Sequence, residues 1–343
     1  MPEELTDRER RVLEAVIQTY IATAEPAGSQ TIARRHPLGM SPASIRSTMS
    51  DLEAKGFLFH MHTSAGRIPT DLGYRLYVNN LMRLAPIASE DQETLRRELH
   101  PDRTAIEEIL RRAAQVLGVL TQELGVAASP RLDAVVLDRL ELVHLSSERL
   151  LLVFNLRSGA IRTIFVQIPA TIAPSTVEHV ARVLNERLAG LSLREIRSSL
   201  ATRLRDAAGM EHSGELLNIF IAEGDEIFDI GADADEIVLG SAELLADQPE
   251  FTSNARMRGL FNLTERRDVL REALLARQRA GLSITIGSEH DDPRLADFTL
   301  VTSSYRLGDL TGVIGVIGPT RMPYDKIIGL VQHTSRLVEG LIT

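Results

Sequence analysis

The sequence predicts a multidomain α+β chain: a small helical N-terminal domain closed by a β-hairpin, then a mixed domain interrupted by an insertion. Three observations carry this expectation. At 343 residues the chain exceeds what one domain usually holds. Its first 85 residues repeat apolar positions at helical spacing and run into a short basic turn. Strand-like runs begin near residue 133, give way after 168 to helical and acidic segments, and resume at 283.

Composition narrows the function classes. There is no Cys, so neither a disulfide framework nor thiolate chemistry is available. The first residues, MPEELTDRERR, lack the apolar core of a secretory signal, and no run of about 18 apolar residues occurs, so a cytoplasmic protein without a membrane span is expected. The net charge of −9 is unevenly distributed. Residues 1–85 hold ten Lys+Arg against nine Asp+Glu, and the rest hold 28 against 38. An acidic body repels phosphate, so only the N-terminal part is suited to nucleic acid.

Taken in order, Thr6 and Glu9 fit a capping box that opens a helix over 7–23, with Val12, Leu13, Val16, Ile17 and Tyr20 on one stripe. Glu25-Pro26-Ala27-Gly28 breaks it, and Ser29 is expected to cap a short helix to about Arg35. Ser41 caps a third helix with Pro42 at its first position and Gly56 at its end. Ile45, Met49 and Leu52 form that helix's core stripe. The opposite face carries Ala43, Ser47, Ser50 and Ala54, flanked by Ser44 and Arg46: small, mostly hydroxylated side chains and one arginine, which fit a DNA groove. Phe57 to Met61 and Ile68-Pro69-Thr70 frame a tip around Ser64-Ala65-Gly66-Arg67. A capped helix followed by a basic hairpin is the order of a winged helix-turn-helix. The candidate DNA-binding residues are therefore Ala43, Ser44, Arg46, Ser47 and Ser50 on the helix, with His62, Thr63, Ser64 and Arg67 on the wing. His60 and His62 flank Met61 without a carboxylate or Cys beside them, which is a poor metal site. Thr70 caps a further helix over 71–84.

Three strings in this region resemble the HrcA family of bacterial heat-shock repressors: GSQTIA at 28–33, SPASIRSTM with DLEAKGFL across 41–58, and HTSAGRIPTDLGYRLYV at 62–78. GVIGVIGPTRMPYDKII at 312–328 and Gln248-Pro249-Glu250-Phe251 are similar to later family blocks. The family commonly carries Asn where Ser47 stands. The resemblance implies a homodimeric repressor that binds the inverted repeat called CIRCE upstream of chaperone operons, with activity maintained by the chaperonin GroEL. It also implies a GAF-like domain interrupted by an inserted dimerisation domain. The expected boundaries are a winged helix at 1–85, GAF-like segments at 86–174 and 259–343, and the insertion at 175–258.

Beyond residue 85, a linker with a short acidic helix leads to a long helix over 104–124 that Gly125 is expected to stop. Residues 133–144, 149–155 and 161–168 read as a three-stranded meander, and 175–188 and 192–207 as helices. The acidic stretch 209–240 does not match a calcium loop. Its apolar share, from Leu216, Leu217, Phe220 and Phe228 among others, suggests burial against a second copy. Thr264 is expected to cap a helix to about 279, followed by strands at 283–287, 299–305 and 312–318 and a last helix over 324–341. The glycines at 312, 315 and 318 fit a buried strand and lack phosphate-loop spacing. No nucleophile and base are positioned for hydrolysis, so no catalytic residue, cofactor or metal is assigned. The rival expectation is a small-molecule sensor using a GAF-like pocket to control DNA binding.

Overall fold

The computed structural model describes residues 5–60, 66–99, 106–130, 135–157, 161–168, 172–207, 214–228, 237–277, 281–307 and 310–342. The chain forms two compact units. The first draws on the chain up to Ala127, Ile237–Tyr305 and Val313–Leu341, and the second, Ala128–Glu236 with Arg306–Gly312, is inserted into it.

The first unit opens with α1 (Asp7–Thr23), α2 (Ser29–Arg35, with Gly28 rather than Ser29 at its cap position) and α3 (Pro42–Ala54), then a short antiparallel pair, β1 (Leu58–Phe59) and β2 (Ile68–Pro69). Thr6 and Glu9 make the expected capping box, with Thr6 N donating to the Glu9 carboxylate at 2.8 Å. Thr70 caps α4 (Asp71–Leu76), which runs on as a π-helical turn over Tyr77–Leu81. Next come α5 (Ser89–Glu98) and α6 (Ile106–Thr121). The sequence pattern carries this last helix to 124. In the structure it stops at Thr121, Gln122 takes a left-handed φ of 59°, and Leu124–Ala128 becomes strand β3. Gly125 therefore sits inside a strand, where a Cβ would collide with the Ala114 backbone of α6.

The second unit contains the meander β4 (Leu137–Ser146), β5 (Arg149–Leu156) and β6 (Ile161–Gln167), antiparallel in the order β4-β5-β6, at the expected places. One face of it, including Leu150, Leu152, Phe154 and Val166, packs against α7 (Pro174–Leu188), α8 (Leu193–Leu204), α9 (Gly214–Ala222) and α10 (Gly224–Ile227). Leu216, Leu217, Phe220, Ile227 and Phe228 are buried in this same core. The acidic segment's apolar residues thus cover their own sheet, and the expectation that they bury against a second copy is corrected.

The chain then supplies β7 (Ile237–Leu239), α11 (Glu243–Ala246), a 3-10 turn at Pro249–Thr252, α12 (Asn254–Glu265), α13 (Arg267–Leu275), β8 (Leu282–Ile286), β9 (Phe298–Leu307), β10 (Leu310–Pro319) and α14 (Tyr324–Ile342). Ser253 caps α12. Thr264, expected to start a helix, lies within α12 and donates back to the Phe261 carbonyl at 2.9 Å. A five-stranded sheet of order β7-β3-β10-β9-β8 results. The glycine strand is buried as expected: a Cβ at Gly315 would meet the Val301 carbonyl and Thr302 of β9.

Candidate nucleic-acid interface

The α1–α3 core is built by residues that the helical spacing marks. Val12, Val16, Ile17, Ile32, Ile45 and Leu52 are all fully buried, and Met49 nearly so. At roughly 25 cal/mol per Å² of apolar surface, each full Leu or Ile burial contributes on the order of 2 kcal/mol. Packing on this stripe turns the other side of α3 outward, and Ala43, Arg46, Ser47, Ser50 and Ala54 are exposed.

The helix is held in register by contacts the periodicity does not reveal. Arg8 of α1 donates from Nε to Thr48 Oγ1 at 2.8 Å and from Nη2 to the Ser44 carbonyl at 2.9 Å. Thr48 is buried and back-bonded to the same carbonyl at 3.1 Å. At the other end, Lys55 Nζ lies 2.9 Å from Glu9, and this bond holds the Glu9 carboxyl below the usual range. Gly56 follows with φ 79°, a left-handed value that a side chain would strain.

Among the expected contact residues, Arg46 and Ser47 are exposed, and Arg46 makes no ion pair among the described residues. Ser50 is exposed and donates to the Arg46 carbonyl at 3.2 Å, while Ser44 is half-buried, its hydroxyl accepting from that of Ser41 at 3.2 Å and its amide donating to Ser41 Oγ at 3.1 Å. His62, Thr63 and Ser64 lie outside the described residues.

Arg67 is placed differently from a freely projecting cation. Its backbone exchanges two hydrogen bonds of 2.9 Å with Ala27, and its Nε lies 2.8 Å from Glu53 in an ion pair off the hydrogen-bond line. Glu53 also contacts His60 Nδ1. One carboxylate near the end of α3 therefore ties down both arms of the hairpin, a role that Glu53's place on a polar face does not disclose. Gly66 also has a different reason from the turn freedom its place in the tip suggests: a Cβ there would collide with the Pro26 carbonyl and the Ala27 backbone.

Within the same unit, α4 is bonded to the sheet end. Arg75 donates from Nε to Glu289 at 2.7 Å and from Nη2 to the Ile284 carbonyl at 2.7 Å, and Asp71 accepts from Ser288 N and Oγ, each at 2.8 Å. Arg321, internally paired, donates to Glu250 and, at 2.8 Å, to the Ile21 carbonyl at the end of α1. Among the described residues no three His, Cys, Asp or Glu gather as metal ligands, and no helix is long and apolar enough to cross a membrane.

The comparisons with known proteins converge. Residues 107–328 match the family model described as the HrcA protein C-terminal domain. A protein named heat-inducible transcription repressor HrcA from Chlorobium phaeobacteroides is 39% identical, covering 96% of each chain. Its namesake from Chlorobium phaeovibrioides is 37% identical over 99% of this chain and 98% of its own. A crystal structure of a hypothetical protein shares the fold over 99% of each chain, with a TM-score of 0.64 and 21% identity. The chain belongs to the HrcA family, whose curated members carry the name heat-inducible transcription repressor.

Proposed function

We propose that this chain is a homodimeric repressor of chaperone operons, with α2–α3 as a helix-turn-helix, the β1–β2 hairpin as its wing, and an inverted-repeat operator of the CIRCE type as its DNA. The observation that carries the reading is the outer face of α3. Ala43, Arg46, Ser47 and Ser50 are exposed on a helix whose core face is fully committed, in a chain of a repressor family. Side chains this small let the helix enter the major groove, and Arg46 is its one base-reading or phosphate-reading cation. Arg67 is proposed to exchange Glu53 for a DNA phosphate on binding, with His62, Thr63 and Ser64 completing the wing.

The first unit's five-stranded sheet with α14 packed on β9 is read as the GAF-like body, and the second unit as the inserted dimerisation domain. The outer face of the meander supports the latter. Val143, Leu151 and Phe165 stand in one cross-strand row, and Phe165 and Ile161 are 60% and 64% exposed. An open apolar sheet face of this kind suits a self-complementary two-fold contact. Until it is covered it also makes the protomer a client for GroEL. Stress that fills the chaperonin with other clients would then lower the concentration of competent dimer.

The direct test is a gel-shift titration of duplexes carrying the inverted repeat and its scrambled counterpart, with and without GroEL and ATP. The expected result is tighter binding to the repeat and a larger competent fraction with chaperonin. Equal binding to both duplexes overturns the operator reading, and an unchanged competent fraction overturns the chaperonin dependence.

A further inference from the structure

One concave site in the first unit is used by none of these roles. It is a cavity of about 380 Å³ whose walls come from α1, the hairpin and α4 on one side and from the Pro249–Thr252 turn, the start of β9 and the β10–α14 turn on the other. That volume lies within the range of small-molecule sites. Tyr20, Phe59, Tyr74, Phe251 and Phe298 line it, an unusual gathering in a chain with only 4% aromatic residues.

Tyr74 is the informative residue. It is 1% exposed, and its hydroxyl has no hydrogen-bond partner. Its ring lies 5.8 Å from that of Tyr324, whose own hydroxyl donates to the Thr320 carbonyl at 2.7 Å. Of two neighbouring phenols one is satisfied and the other is orphaned at a cavity wall. A buried hydroxyl left unbonded costs on the order of 1–3 kcal/mol, so an occupant that bonds it recovers affinity there. Of the lining charges, Arg321 is held by Glu250 and the Ile21 carbonyl, Asp71 accepts two bonds from Ser288, and Arg256 and Asp297, of opposite sign, are exposed at the rim. Phe59, at 42% exposed, leaves an aromatic face open at the mouth.

We infer that this cavity binds a neutral, flat aromatic molecule of one or two rings carrying a hydrogen-bonding heteroatom. The rings lie against the aromatic walls in offset or edge contact, and the heteroatom reaches the Tyr74 hydroxyl. A charged ligand is disfavoured because an ion buried beside Arg321 and Asp71, which already have partners, is left uncompensated, and the opposite charges of Arg256 and Asp297 at the rim favour neither sign. The site goes beyond the repressor reading and does not require DNA.

The test uses the full chain with indole as the neutral two-ring probe, and tryptamine and indole-3-acetate as its cationic and anionic counterparts, by isothermal titration calorimetry. Saturable indole binding at one site per chain is expected, with both charged analogues at least about tenfold weaker. Tyr74→Phe keeps the ring and removes only the orphaned hydroxyl, so it folds with an unchanged or higher melting temperature and binds indole about fivefold more weakly. Phe59→Ala, at a partly exposed position, also weakens indole. Hydrogen exchange should slow at residues 68–76 when indole is bound. Absence of saturable binding, Tyr74→Phe binding as tightly as the parent, or charged analogues binding as well as indole each overturns the proposal.

Discussion

Glu123 and His290 bring opposite pH dependences into the first unit. Glu123 is 2% exposed, and burial raises its carboxyl well above the usual range, only partly opposed by the Gln248 amide donating at 3.0 Å. A carboxyl with a raised folded-state pKa contributes fully below its unfolded value and loses that contribution as pH rises through the folded value. Glu123→Gln should therefore stabilise the chain at pH 7–8 by about 1 kcal/mol or more, roughly 2–4 °C in melting temperature, with the gain gone near pH 4. A gain independent of pH contradicts a buried neutral acid. His290 is lowered from 6.5 to about 4, first by burial and then by Arg277. Here the unfolded chain binds the extra proton, so stability falls as pH drops from 6.5 toward about 4. His290→Gln should flatten that limb of a melting-temperature profile, and an unaltered slope would place the acid sensitivity elsewhere. Neither residue was legible from the sequence as a titrating group: Glu123 is bonded to Gln248, 125 residues away, and His290 is buried where the chain folds back beside Arg277, which no local pattern reports.

Among the elements, those whose stabilising contacts are local were legible. The Thr6 and Ser41 caps, the stripe of Ile45, Met49 and Leu52, and the alternating strands of the meander are all encoded within a few residues, and the structure contains each of them. Strands β3 and β7 were not. LGVAA continues the apolar pattern of the helix before it, and IVL is three residues long; each is a strand only because the chain brings residues 124–128 and 237–239 into one sheet. The hairpin was half legible. Its strands were expected, but Arg67, expected as a projecting cation, is half-buried and paired to Glu53, a link between helix and hairpin that no periodicity reports. Two variants probe it. Arg67→Ala should weaken binding to any duplex and lower the salt slope, log K against log salt, by about one unit. Glu53→Gln, by freeing Arg67 and removing a negative charge near phosphate, should tighten non-specific binding severalfold at low salt. A salt slope unchanged in Arg67→Ala would make Arg67 a purely structural member of the hairpin.

At the scale of the molecule, strands that stop and resume suggested an insertion at 175–258 with the meander in the body, whereas the meander groups with the helices that follow it, in the unit Ala128–Glu236. The acidic segment's apolar residues looked available for a second copy, yet Leu216, Phe220 and Phe228 complete the core beneath the meander, with Phe228 edge-on to Phe154 at 5.5 Å. What stays exposed is the opposite sheet face. Phe165→Asp, on that face and 60% exposed, should leave the fold intact while shifting a dimer toward monomer in analytical ultracentrifugation. An unchanged dimer would exclude the face as the contact.

The claim on which the functional account rests is that the outer face of α3 reads DNA sequence. Arg46→Ala is exposed, removes no packing, and leaves the cap and core stripe in place. Its affinity for the inverted repeat and for a scrambled duplex, measured side by side at one salt concentration, tests that claim most directly. A base-reading arginine contributes roughly 1–3 kcal/mol of discrimination, so binding to the repeat should fall by about tenfold or more while binding to the scrambled duplex changes little. Equal losses on the two duplexes, or no loss on either, would contradict it.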